Sequence, residues 1–259
     1  MSAPPSDAPW SLAGKTAIVT GGSRGIGQAI AIHLARKGLD KLAITVLELK
    51  KAVAIQADAL DPKFASKVIS KVLERLDTNA IDILVNNAAL TDPTKALPVK
   101  DTTLNVFFEI MQANVYAPVS LATALLPHLR RYGGRVINIS SILAYQPNAD
   151  PTMTYGASKS TLQSFTRSFA ASYAKKTQAT FNSVIVGVTE TDAVKDTRDL
   201  MPPGSLERQI QDTTAADRLG VPEDIAYIVG FLSSEEGRWV NGAAISANGG
   251  NSLVMPTLG

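Results

Sequence analysis

Cysteine is absent from this chain of 259 residues. That excludes a disulfide, a thiol nucleophile and a thiolate-held metal, and it fits a reducing compartment. Histidine is nearly absent, with only His33 and His128. The two fall on separate predicted helices without metal-ligand spacing. A structural role is expected for both, no metal site is expected, and a Ser-His-Asp hydrolase is poorly supported. Long hydrophobic runs are missing too. No apolar stretch reaches the roughly 18 residues of a membrane span. The first ten residues, MSAPPSDAPW, lack a basic start and an apolar h-region, so they read as a loose tail and not as a secretory signal. A strong charge is the last absence. A formal net charge of +2 gives no pull toward nucleic acid or membrane. A cytoplasmic protein is expected, with neither as a partner.

The remainder has the composition of a globular domain, 45% hydrophobic and 19% charged, which is enough to bury a full core. No repeat or low-complexity linker divides it, so residues 11–259 read as one domain. Strand-like runs alternate with helical ones. Lys15–Thr20, Lys41–Val46, Ala52–Gln56, Ile81–Val85, Arg135–Ser140, Thr180–Val186 and Ala243–Ala247 are predicted strands. Helical spacing covers Ile26–Lys37, Pro62–Leu76, Thr103–Arg131, Tyr155–Lys176 and Pro222–Leu232. Such alternation argues for an α/β fold, a doubly wound parallel sheet of Rossmann type with helices on both faces. Ligands bind these sheets at the carboxyl ends of the strands.

The first strand runs into Thr20-Gly21-Gly22-Ser23-Arg24-Gly25-Ile26-Gly27 and then a helix. Glycines there permit a tight turn and close approach to a pyrophosphate, and the helix N-terminus offers free N–H groups. The spacing is G-x-x-x-G-x-G, not G-x-G-x-x-G. An acid closing the second strand would take a ribose 2′-OH. This strand closes on Thr45-Val46, and Asp40 precedes it; Glu48 lies just past it. Arg24 inside the loop suits a 2′-phosphate instead. NADP(H) is therefore the expected cofactor, with NAD(H) second.

Tyr155 and Lys159 share one helix face at i, i+4. Ser141 closes the fifth strand at the ligand-binding edge. A phenol beside an ammonium should have a lowered pKa and can pass a proton to a carbonyl or alcohol oxygen. With these residues the chain resembles the short-chain dehydrogenase/reductase family. The matching stretches are TGGSRGIG at 20–27, Asp58 in ADALD, NNAA at 86–89, Asn114 in QANVYAP, ISS at 139–141, YGASK at 155–159, RLGVPEDIA at 218–226 and WVNGAAISANGG at 239–250. The resemblance runs from about residue 10 to residue 250.

It implies a catalytic set of Asn114, Ser141, Tyr155 and Lys159. Tyr155 would be the general acid/base, and Lys159 would lower its pKa and hold the nicotinamide ribose. Ser141 would bind the substrate oxygen, and Asn114 would hold a relay water. The implied cofactor contacts are Gly21, Ser23, Arg24, Gly25, Ile26 and Gly27 at the phosphates, and Asp58 and Ala59 at the adenine. Asn86, Asn87 and Ala88 would line the cleft, Val188 and Thr191 the nicotinamide end, joined by Tyr155 and Lys159. The implied substrate is a small-molecule ketone or alcohol. A substrate lid is implied around 190–216, with Leu143, Tyr145, Met153, Val188 and Leu200 as pocket candidates. Apolar residues on several faces of the helices at 103–131 and 155–176 imply a homotetramer, with a dimer second.

The chain also departs from the family pattern. Val186-Gly187 stands where Pro-Gly is usual, Ala89 replaces a glycine, and Ala247-Asn248-Gly249-Gly250 replaces VDGG. None of these removes a catalytic group. They leave room for an alternative, a family member recruited to non-redox work as a dehydratase, cyclase or cofactor-sensing binding protein. The stretch AITVLELKKAVAIQ, residues 43–56, holds a further oddity. Parallel neighbours need a crossover of about a dozen residues or more, yet only LELKK separates AITV from AVAIQ. Either most of a helix is truly lacking or the sequence joins segments across a gap. Resumption in register on both sides favours the gap.

Overall fold

β-Branched and aliphatic runs form seven strands: β1 (Thr16–Val19), β2 (Lys41–Val46), β3 (Val53–Gln56), β4 (Ile83–Asn86), β5 (Arg135–Ser141), β6 (Thr180–Val186) and β7 (Ala244–Ala247). The computed structural model describes residues 10–46, 53–196, 198, 201 and 203–251. The strands make one sheet in the order β3-β2-β1-β4-β5-β6-β7, and every pairing is parallel. The chain starts at the centre, winds outward to β3, and returns to β4 before winding the other way. The expected doubly wound fold is therefore present. Its order reverses between β1 and β4, where such sheets open a binding crevice.

The helices are α1 (Gly25–Arg36), α2 (Phe64–Arg75), α3 (Leu104–Met111), α4 (Ala117–Leu125), α5 (Met153–Thr177), α6 (Asp192–Asp196), α7 (Ser205–Gln211) and α8 (Pro222–Ser233). Strand alternation sorts the core into two layers. Ile18, Leu84, Val136 and Phe181 face α2, α4 and α5. Ala17, Val19, Val85, Ile137 and Val184 face α1 and α8. Burial on both faces explains why these strands are nearly continuous apolar runs. His33 of α1 packs against Gly230 and Tyr227 of α8, which is a structural position.

The long helix expected over 103–131 is broken. After α3 comes a π-turn, Gln112–Tyr116, then α4 and a short 3-10 turn, Leu126–His128. Pro118 is one cause, because it has no N–H to give the carbonyl four residues back. That carbonyl belongs to Asn114. Helices α6 and α7 lie in the polar stretch expected to be a lid and were not foreseen. Arg130 pairs with buried Asp82 at 3.0 Å.

β2 and β3 are parallel neighbours, with Ala43 beside Val53 and Val46 beside Gln56. The choice between a truly lacking helix and a joined gap turns on the residues between them, which lie outside the described residues. Six residues, 47–52, make the link, fewer than a helical crossover requires. Glu48 and the LELKK run fall on these positions, outside the described residues.

Asp82, 3% exposed, accepts from Thr16 N at 2.8 Å and from Arg130 Nε. Asp82→Ala leaves a buried N–H without a partner, a loss of about 1–3 kcal/mol. A fall in Tm of several degrees is expected by calorimetry, with Asp82→Asn, which keeps an acceptor, falling less. Equal Tm values for all three proteins would contradict this role.

Candidate active site

The glycine loop closes on itself. Gly21 and Gly25 have φ of 64° and 54°, a region L side chains rarely enter. A Cβ on Gly27 would lie 2.1 Å from the Gly21 carbonyl oxygen, so only glycine lets α1 start this close to β1. Thr45 holds the loop from the end of β2. Its hydroxyl accepts from Gly21 N at 3.0 Å and its carbonyl accepts from Gly22 N at 3.2 Å. On the other side Thr20 Oγ1 accepts from Asn87 N and Ala88 N, and Asn87 Nδ2 donates to the carbonyls of Thr20 and Gly21. Thr191 packs against Gly25. The structure thus gathers Gly21, Gly25, Gly27, Asn87, Ala88 and Thr191 at one place. Thr20 and Thr45 were missed as organisers. Their place at strand ends beside the glycines was the available signal.

This loop suits a dinucleotide phosphate. No side chain caps α1, and its first turn carries no acid. Its leading N–H groups and positive dipole end are left for an anion. Ser23 and Arg24 are exposed beside it, and Ile26 packs into the core below. Asp58 lies exposed at the end of the loop after β3 and accepts from Leu60 N at 2.9 Å. Ala59 packs inward between them. Gln112 Nε2 donates to the Leu60 carbonyl at 2.6 Å. It thereby ties this turn to the π-turn that carries Asn114, a contact the sequence did not suggest.

Asn86 does not reach the cleft. It is 4% exposed, and its Nδ2 donates to Asn138 Oδ1 at 2.8 Å. Asn138 Nδ2 in turn donates to Thr166 Oγ1 at 2.8 Å, which Ser183 Oγ meets at 3.0 Å. Asn86, Asn138 and Ser183 are direct partners across β4, β5 and β6. Alternation along β4 turns Asn86 into this ladder under α5, and Asn87 takes the loop.

The catalytic candidates meet at the carboxyl end of β5. Lys159, 2% exposed, donates from Nζ to the Ile139 carbonyl at 3.0 Å. This bond sets the height of α5 against β5. Tyr155 lies four helical residues beyond, a rise of about 6 Å. Ser141 lies two strand residues beyond Ile139, a rise of about 6.6 Å. Both therefore lie from that bond toward the carboxyl edge of the sheet. Ser141 Oγ accepts from Leu143 N at 3.2 Å, which leaves its proton to donate. Asn114, 1% exposed, accepts from Leu90 N at 2.7 Å and donates to Ser158 Oγ at 3.2 Å. Asn148, another residue not foreseen, donates to the Leu143 carbonyl at 2.8 Å and packs against Gly156. It fastens the Ser141–Tyr155 connection.

The pKa expectation for Tyr155 is reversed. Burial pushes its phenol up to about 12, and burial pushes Lys159 down to about 8. The ammonium is 5.6 Å from the ring centroid and bonded to Ile139, so removal from water outweighs its pull on the phenol. Among the pocket candidates, Leu143 borders Ser141 through its N–H, Met153 and Tyr145 flank the start of α5, and Val188 pairs with Gly220. Leu200 lies outside the described residues. Gly187 needs no proline to be constrained, since a Cβ there would sit 3.1 Å from Asn248 Cβ. Among the described residues no group of His, Asp or Glu could hold a metal. No described helix is long and apolar enough to cross a membrane.

A family model described as Enoyl-(Acyl carrier protein) reductase matches residues 21–252. A short chain dehydrogenase of Penicillium thymicola is 54% identical, covering 100% of this chain and 99% of its own. That alignment spans 274 positions against 259 residues here. The relative therefore carries residues this chain lacks. A short chain dehydrogenase from Burkholderia cenocepacia, solved in complex with NADP, superposes with a TM-score of 0.80 at 33% identity, covering 93% of this chain and 98% of that one. An angucycline C-6 ketoreductase with bound NADP gives a TM-score of 0.82 at 31% identity, with coverage of 94% and 97%.

Proposed function

Since the chain belongs to the short-chain dehydrogenase/reductase family and is an oxidoreductase acting on CH–OH and C=O groups, we propose that it reduces a ketone to a secondary alcohol, or runs the reverse, with NADP(H) as its cofactor and Tyr155 as general acid/base. The observation that carries this reading is the bond from buried Lys159 Nζ to the Ile139 carbonyl, which ties the helix bearing Tyr155 to the strand that ends in Ser141. NADPH, when bound, supplies the hydride to the carbonyl carbon. Ser141 orients the carbonyl oxygen through its free hydroxyl proton. Tyr155 gives its phenolic proton to that oxygen, and its raised pKa keeps the proton in place at neutral pH. Lys159 carries the positive charge that stabilises the phenolate left behind. Asn114 holds the relay toward solvent, helped by a carbonyl that Pro118 cannot engage.

The phosphates are assigned to the uncapped start of α1 and to Gly21, Ser23, Gly25, Ile26 and Gly27. Arg24 takes the 2′-phosphate, and Asp58 with Ala59 the adenine. Asn87 and Ala88 border the crevice, with Val188 and Thr191 at the nicotinamide end. NADP in both solved relatives supports the choice of cofactor, as does the lack of an acid at the end of β2. A ketone is favoured as substrate by the ketoreductase among them. The chain carries all four residues of the implied catalytic set, which supports the redox reading over the non-redox alternative. A cytoplasmic location belongs to the same proposal and rests on the cysteine-free composition.

We also propose a homotetramer, with a dimer second. Leu104, Phe107, Phe108, Tyr116 and Phe165 leave large apolar surfaces exposed on α3, the π-turn and α5. Leu121, Leu125, Leu162 and Phe169 are instead core residues. Light scattering is expected to give four chains per particle, and a clean monomer would refute this.

Tyr155→Phe is expected to slow NADPH-dependent ketone reduction by about 10²–10⁴-fold, followed by NADPH absorbance over a ketone panel. Full activity in that variant would overturn the assignment. The pH profile tests Lys159. Its lowered pKa means the ammonium is fully present only below about pH 8, so reduction should be level below that pH and decline above it. A profile still flat well above pH 8 would contradict this role.

A further inference from the structure

Beyond β7 the chain makes a turn, Asn248-Gly249-Gly250-Asn251, whose side chains hold it shut. Asn248 Nδ2 donates to the Asn251 carbonyl at 2.7 Å, and its Oδ1 accepts from Gly250 N at 3.1 Å. Asn251 N donates back to the Asn248 carbonyl at 3.1 Å. An aspartate at 248 has no N–H for the first of these bonds. One side of the turn presses on Gly187 at the exit of β6, beside the candidate nicotinamide residues.

The other side holds α7. Asn251, 5% exposed, donates from Nδ2 to Gln209 Oε1 at 3.0 Å and to the Gln209 carbonyl at 3.3 Å. Ala215 N donates to the Gly249 carbonyl at 3.0 Å, and Thr213 packs on Gly249. Among the described residues little else secures this helix. It has seven residues, and Leu206 is its one buried side chain. No other named helix or strand packs broadly against it. A helix this short is unstable alone, so the turn decides where it sits. It belongs to the excursion between β6 and α8, which starts at the carboxyl edge where ligands bind such sheets.

We propose that Asn251 is a positioning residue that pins α7 over the substrate mouth and thereby sets substrate affinity without touching the reacting atoms. The substrate part rests on the carbonyl-reductase reading. The pinning does not.

Trypsin digestion of the full chain saturated with NADP+, read by mass spectrometry, tests the pin. Arg208 lies inside α7 and is cut only when that helix opens. Lys67 lies in α2 and reports opening elsewhere. Asn251→Ala should speed cleavage at Arg208 about tenfold relative to Lys67. Gln209→Ala, which keeps the carbonyl contact, should fall between that variant and the parent. Equal acceleration at both sites, or none at Arg208, would overturn the proposal. This readout needs no ketone turnover, so failure of the reductase reading would leave it interpretable. With 1-tetralone as the probe ketone, Asn251→Ala should raise KM about fivefold with kcat within about twofold. A fall in kcat at unchanged KM would also overturn it.

Discussion

The bond from Lys159 Nζ to the Ile139 carbonyl fixes how far α5 slides along β5, and the chemistry of the site depends on that register. A slip of one helical turn, about 5.4 Å, would move Tyr155 by that distance relative to Ser141. The buried ladder under the same helix resists such a slip. Thr166 of α5 joins Asn138 of β5 and Ser183 of β6, and Gln163 donates to Ser140 at 2.7 Å. Buried polar groups without partners are costly, so the bonds among Asn138, Thr166 and Ser183 disfavour alternative packings. Asn86 Oδ1 is left without a partner among the described residues.

The cofactor half of the site depends on close backbone approach instead. Gly27 against Gly21 leaves no room for a side chain, and Gly187 lies close against Asn248. Thr45 and Asn87 clamp the loop from β2 and β4, so the uncapped start of α1 faces the crevice where strand order reverses. Gln112 connects this half to the proton-transfer half, because it holds the Leu60 turn from the π-turn that bears Asn114.

Much of this could be read from residue order alone. Buried β-branched runs marked all seven strands to within two residues, because both sheet faces are covered. The i, i+4 spacing of Tyr155 and Lys159 placed them on one face before any coordinates. What escaped depends on tertiary context. The π-turn arises where Pro118 interrupts a pattern that otherwise reads as one helix. Helix α7 has too few apolar residues to announce itself and is held by Asn251, 42 residues away. The side of the sheet taken by Asn86 follows from its pairing with Asn138. The direction of the Tyr155 shift turns on burial, which spacing does not report.

The most direct measurement is a crystal structure of the chain with NADP+ and a bound secondary alcohol. The alcohol oxygen is expected within about 2.6–3.2 Å of both Ser141 Oγ and the Tyr155 phenol, with the Lys159–Ile139 register retained. An alcohol oxygen bound out of reach of Tyr155, with NADP+ in the crevice, would contradict the assignment of that residue as the general acid/base.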